Sequence, residues 1–276
     1  MRRPFPVSSL LAHLILISWS MVVLFPIFTM LVNSVKPRRE IFREPFGFPS
    51  EVTWEGYNNV IEDGDFPQYF RNSIIVTITS LFLAVVFGTL ASHALARLQS
   101  RVSTVLYVYF IAGLMIPIRL GTINLFQIIQ TLQLTDTIYS LMPVYVAMSL
   151  PITIFVLTTF IRGIPQELYD AAMIDGAGEL WSFGIITVPL IRPALATVII
   201  FNLIPIWNDL WFPLIFIRAN EARTVTYGVS LLFGQYQTNW TNALAALALA
   251  AVPVLVVYIL MSGQFIKGLT AGALKG

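Results

Sequence analysis

The sequence predicts an all-α integral membrane protein with six transmembrane helices, and three observations carry that prediction. Charged residues make up 11% of the chain, against roughly 25% in a soluble domain. Apolar residues make up 57%, more than the remaining polar groups can cover. Six apolar stretches, Leu10–Val32, Ser73–Ala94, Thr104–Leu125, Tyr139–Phe160, Ala194–Ile217 and Ala243–Phe265, have the about 20 residues a helix needs to cross a ~30 Å hydrocarbon core. Backbone groups in lipid must bond within their own segment, and no alternating barrel pattern is present, so the spans are read as helices.

The elements follow in order. Arg2 and Arg3 precede the first apolar run, as in a signal peptide. That run continues to Val32 without a small-residue cleavage site, so it is expected to stay as a span. The segment from Asn33 to Arg71 is polar, with Pro37, Pro45, Pro49 and Pro67 and seven acidic residues; it reads as an external loop with one short helix. Pro26, Pro117, Pro143, Pro151, Pro205, Pro213 and Pro253 fall inside the apolar stretches. Each frees a carbonyl and kinks its helix, a defect that neighbouring helices cover. Lys267 lies just past the last stretch and is expected to anchor it at the interface.

The stretch from Arg162 to Pro193 is different in kind. It holds Glu167, Asp170, Asp175 and Glu179, four of the 14 acidic residues. Pro165 suits a helix start, and Glu167 and Asp170 place negative charge near its positive end. Ala171 and Ala172 give a surface that another protein can approach closely. Gly176 and Gly178 break the helix. Leu180, Trp181, Phe183, Ile185 and Ile186 form a second short helix, and Pro189 and Pro193 mark re-entry into the next span. Two short helices joined at glycine, polar in an otherwise apolar chain, read as a docking surface.

Several function classes lose support. No G-x-x-x-x-G-K-[ST] phosphate loop is present, so nothing in this chain is expected to cradle ATP. Zero cysteines exclude a disulfide framework and thiolate zinc sites, and a net charge of +2 is too small to suggest nucleic acid. His13 and His93 have no metal-ligand spacing and are expected to pack, with no metal bound. No G-x-S-x-G motif supports an intramembrane hydrolase. Arg119 and Asp209 are the charges inside spans, where each costs several kcal/mol, from about 2.5 upwards. They either line a solute path, with Trp207 and Asn208 supplying stacking and hydrogen bonds and Asn124 a further polar group, or pair with each other, or lie near an interface.

Asp170-Ala-Ala-Met-Ile-Asp175-Gly176, followed by Ile186-Thr-Val188-Pro189, resembles the EAA loop of permease subunits of binding-protein-dependent ABC importers. Asp170 stands for the usual Glu and Val188 for the usual Leu. Met115-Ile-Pro117-Ile-Arg119-Leu120, Ile206-Trp207-Asn208-Asp209 and the tail Phe265 to Gly272 add matches, so that nearly the whole chain is similar to the sugar-importing branch, in its shorter, maltose-permease-like type. The resemblance implies the type I importer permease fold. It divides the chain into an N-terminal helix and external loop (1–69), a transmembrane domain (70–266) with its coupling loop at 162–193, and a cytoplasmic tail (267–276).

It also implies the partners: a second permease, two ATPase subunits that use ATP and Mg, an external solute-binding protein and the bilayer. No cofactor is then held by this chain. Glu167, Asp170, Ala171, Ala172, Asp175, Gly176 and Ala177 would form the ATPase contact. Counting basic residues gives eight on one side and seven on the other, which leaves the topology open. The family topology puts both termini and the loop in the cytoplasm of a bacterial inner membrane. The rival reading is an ion-coupled secondary transporter with Arg119 and Asp209 as its relay.

Overall fold

The computed structural model describes residues 7–273 apart from 63, 99 and 235–237, and it is helical throughout, the described residues including only an isolated bridge between Phe233 and Thr238 in place of strands. The described chain falls into two compact units. One runs to Pro67 and takes in Gly228–Val252; the other comprises Gln68–Tyr227 and the residues from Pro253 onward.

In the first unit, α1 (Val7–Asn33) is a continuous apolar helix with Pro26 inside it, and its most apolar window has no buried residue, as a helix facing lipid or another subunit requires. The segment after it carries two short helices, α2 (Arg38–Arg43) and α3 (Glu55–Ile61), where one was expected. Its compactness comes from side chains whose partners lie at a distance along the chain. Lys36 is fully buried and donates to the Glu44 carbonyl at 2.8 Å. Asn33 donates to the Pro45 carbonyl, Ser34 bonds Tyr57, and Glu40 accepts from the Ser50 amide and hydroxyl. Phe46 and Phe48 turn back onto Phe25 and Phe28 of α1, at ring separations of 5.6 and 6.0 Å. Gly56 lets α3 approach the last helix so closely that a β-carbon there would lie 2.5 Å from the Thr241 carbonyl oxygen.

The second unit is built around α7 (Leu141–Arg162). Around it lie α4 (Phe66–Arg97), α5 (Arg101–Gly113), α6 (Thr122–Thr131), three short helices α8 (Gln166–Ile174), α9 (Glu179–Ser182) and α10 (Val188–Leu190), then α11 (Arg192–Trp207) and α12 (Trp211–Phe216). A core of Val76, Leu81, Ile129, Leu141, Val144, Tyr145, Leu203, Ile206, Phe212 and Phe216 joins α4, α6, α7, α11 and α12. Asn202 of α11 donates to Thr153 of α7 at 3.1 Å, a polar tie between spans. The start of α4 is stitched to the segment after α12: Tyr69 donates to Asn220, Asn72 to the Glu221 and Arg223 carbonyls, and the Val225 amide donates to Ser73. Asp136 takes a left-handed conformation (φ 60°) and accepts the Arg218 and Ala219 amides. Those backbone bonds hold its carboxyl below the usual carboxylate range.

Among the described residues, four helices are continuous and apolar enough to cross a membrane: Ser9–Asn33, Phe66–Arg97, Ile138–Arg162 and Trp240–Gly263, the last lying within α14 (Trp240–Ala273). α13 (Val225–Leu231) precedes it. The other two expected spans are bent. Arg101–Gly113 and Ile118–Thr131 meet at 86°, and Glu179–Leu190 meets Arg192–Trp207 at 76°. The first break lies at Pro117, whose ring fixes φ and removes a donor, so that a 3-10 turn at Ile118–Gly121 separates the halves. The span expected at Ala194–Ile217 instead ends at Trp207, and a separate helix begins at Trp211.

Candidate functional site

The hairpin that follows α7 starts with α8 (Gln166–Ile174), continues through α9 (Glu179–Ser182) and a π-helical turn at Phe183–Thr187, and ends with α10 (Val188–Leu190). α8 is closed by a complete Schellman motif. Gly176 has φ +83°, its amide reaches the Met173 carbonyl at 3.0 Å, and the Ala177 amide reaches the Ala172 carbonyl at 2.8 Å. A β-carbon at Gly176 would meet nothing within 4 Å. Glycine is therefore required for the backbone angle and not for room.

The hairpin has an inner and an outer side. Tyr169 and Ala172 face in and are buried, while Glu167, Asp170, Ala171, Asp175 and Gly176 are exposed and Ala177 is partly so. Around these polar groups the outer side carries Leu168, Met173, Ile174, Leu180 and Trp181, all exposed, Ile174 to 87%. Isolated exposed apolar residues are ordinary, but a group of this kind at the tip of a polar loop marks an interaction surface.

The inner side is hydrogen-bonded to α4. Thr187 Oγ1 lies 2.8 Å from the Tyr169 hydroxyl and 3.0 Å from His93 Nδ1. His93 Nε2 lies 3.3 Å from the Glu179 carboxylate. The Arg97 guanidinium covers the Tyr169 ring at 3.7 Å and donates to Gln166, which in turn donates to Asp170 at 2.9 Å. The π turn makes this register. Val188 donates five residues back to Phe183, next to Pro189, which has no donor of its own. His93 was expected to pack; it does so against Phe183 at 5.2 Å, yet both its ring nitrogens are also engaged.

A second site lies in the membrane-spanning part. A pocket of about 530 Å³ is lined by Arg119, Met148, Asn208, Asp209, Trp211 and Phe212, among others. The alternative expectation of an Arg119–Asp209 pair is not met: Arg119 is exposed and lies 5.5 Å over the Trp211 ring. Asp209 accepts from the Tyr145 hydroxyl at 2.9 Å and from the Phe212 amide at 3.1 Å, closing the first turn of α12. Asn208 donates back to the Ile204 carbonyl. Trp207 lies outside the pocket lining, 5% exposed and edge-on to Phe70. Asn124 is exposed and also outside it.

Trp211 and Tyr145 are the residues that sequence reasoning missed here. Trp207 and Trp211 are indistinguishable by composition. Which one meets the pocket depends on the helix ending between them.

The family described as "Binding-protein-dependent transport system inner membrane component" matches residues 84–270. The chain is similar to the diacetylchitobiose uptake system permease protein NgcG of Streptomyces coelicolor, 32% identical over 267 residues, covering 96% of this chain and 88% of that protein. It is similar also to the melibiose/raffinose/stachyose import permease protein MelC of Bacillus subtilis, 30% identical over 252 residues, covering 91% of each. Its fold matches a chain in the crystal structure of a bacterial ABC transporter involved in the import of the acidic polysaccharide alginate, with a TM-score of 0.81 at 20% identity, covering 95% of this chain and all of that one.

Proposed function

This chain belongs to the family of binding-protein-dependent transport system inner membrane components, and from that premise we propose that it forms half of the solute pathway of an ATP-driven sugar importer. The ATPase is a separate subunit, and the hairpin Gln166–Leu190 is its seat on this chain. The observation that carries this reading is a hairpin with its inner side hydrogen-bonded to α4 and its outer side of Leu168, Met173, Ile174, Leu180 and Trp181 left open. Helix-in-groove binding uses such a compact apolar face with polar anchors, and Glu167, Asp170 and Asp175 are the anchors. No phosphate-binding loop occurs in the sequence, consistent with hydrolysis elsewhere.

The mechanism follows from the parts. A loaded binding protein docks outside while ATP closes the ATPase pair on the inner side. The groove moves the hairpin, the hairpin moves α4 and α11, and the two broken spans change the access of the pocket at Trp211. The hairpin and both termini are placed in the cytoplasm, the side of the ATPase; there Arg97, Arg101 and Arg162 line one cleft of about 730 Å³ beside α8. A sugar is the solute class because the relatives named above carry oligosaccharides in their names, and the pocket offers an indole face beside Asn208 and Asp209.

The assembled complex in liposomes is expected to accumulate an oligosaccharide only with ATP, its ATPase and its binding protein all present. Uptake by this chain and its permease partner alone, driven by an ion gradient, would establish the secondary-transport reading instead. Trp211→Ala is expected to slow uptake at limiting sugar about tenfold, since removing a stacked indole exposes enough apolar area to cost about 1–2 kcal/mol. Trp211→Phe should recover most of that rate. An unchanged rate in the alanine variant removes Trp211 from the path.

A further inference from the structure

We infer that His93 is a positioning residue for coupling, the point at which displacement of the hairpin is passed into α4. The inference rests on the reading of the hairpin as the ATPase contact. Three separate parts of the hairpin converge on this one side chain: Thr187 at the end of the π turn directly, Tyr169 of α8 through the Thr187 hydroxyl, and Glu179 at the start of α9 directly. His93, Thr187 and Tyr169 are 6%, 0% and 3% exposed.

The proton arrangement is fixed by donor arithmetic. A neutral imidazole has one donor and one acceptor nitrogen. With Nε2–H directed at the Glu179 carboxylate, Nδ1 must accept from Thr187, and Thr187 must then accept from the Tyr169 hydroxyl. Every group in the chain Tyr169–Thr187–His93–Glu179 is then used once, in one direction. Buried networks of this kind are rigid when complete and costly when one member is lost.

Apolar packing alone would hold α8 against α4 but would leave it free to slide. Directional bonds from α9 and the π turn to one ring, with α8 tied to that ring through the Thr187 hydroxyl, remove that freedom, so the hairpin and the end of α4 move as one body. Arg97, one turn further along α4, grips the Tyr169 ring and Gln166 from the exposed side. Among the described residues the outer side of the hairpin has no comparable anchor, which leaves it to the ATPase.

The test measures sugar uptake and ATP hydrolysis in the same liposome preparation and takes their ratio. Thr187→Val keeps the volume and removes the hydroxyl; His93→Phe keeps a ring and removes both nitrogens. Each is expected to lower sugar moved per ATP at least about tenfold, and Thr187→Ser is expected to restore the wild-type ratio. A ratio unchanged in both Thr187→Val and His93→Phe overturns the inference. So does a loss of uptake and hydrolysis in equal proportion with a lowered Tm, which assigns the network to packing alone. Should either variant fail to assemble, Tyr169→Phe, which deletes a single hydroxyl, gives the same ratio test. Failure of the underlying reading shows elsewhere, as ATP-independent uptake by the wild-type complex.

Discussion

Gly176→Val is expected to leave this chain in the membrane at the wild-type level and to reduce ATP-driven uptake to less than about a tenth. The reason is local geometry. Position 176 sits at φ +83° with open space around it, so the side chain itself collides with nothing. A left-handed angle costs an ordinary L-residue roughly 1–2 kcal/mol, and a β-branched residue more. Relief of that strain unwinds the turn and breaks the two Schellman bonds that close α8. That helix has nine residues, too few to hold itself without its cap and its contacts. Uptake measured beside an immunoblot of the membrane fraction separates this from failed insertion. Gly176→Asn is the control, since asparagine tolerates the left-handed region, and it should retain much of the activity. Normal uptake by the valine variant would detach the turn from transport.

Gly88→Leu acts on the fold instead and is expected to remove most of the assembled protein. Gly88 lies where α4 crosses α7, and a β-carbon there would stand 2.3 Å from the Thr153 methyl and 3.0 Å from Thr153 Cβ. Small residues at such crossings are what let membrane helices approach. Forcing them apart costs about 1–3 kcal/mol as overpacking. It also displaces Thr153 from Asn202, a bond of about 0.5–1.5 kcal/mol. Together these predict a Tm about 5–15 °C lower in detergent. The pair Gly88→Ala with Thr153→Ser tests the cause. Serine lacks the colliding methyl and keeps the hydroxyl for Asn202, so the double variant should be more stable than Gly88→Ala alone. If it is not, the crossing is looser than its geometry indicates.

How much of this could be read in advance differs by residue. Gly176 was legible because a left-handed cap is a one-residue requirement that a sequence states directly. Pro117 was legible as a break for the same reason, although not the 86° angle, which neighbouring helices set. The six apolar stretches marked where the chain crosses, yet the fifth span was placed too late, because hydropathy cannot distinguish α11 from the apolar α12 that follows it. Lys36 was unreadable as a buried group: its partner is a backbone carbonyl, which every sequence position offers equally. The His93 network was hidden by distance, since 94 residues separate it from Thr187. The π turn that aligns them depends on a donor missing at Pro189, a signal present in the sequence but silent about what the extra residue would aim.

That turn has a consequence for how the chain tolerates length changes. A π turn is one residue more than the helix around it needs, and each residue of an α-helix advances the azimuth by about 100°. The direction in which Leu180 and Trp181 point is therefore set by a tally of residues between them and Thr187. Losing one residue there, for instance Gly184, which has open space beside it, would make the helix regular while swinging the tip about a quarter of a circle. An insertion or deletion in this segment would thus redirect the surface without touching any residue on it, a change that comparison by substitution would overlook.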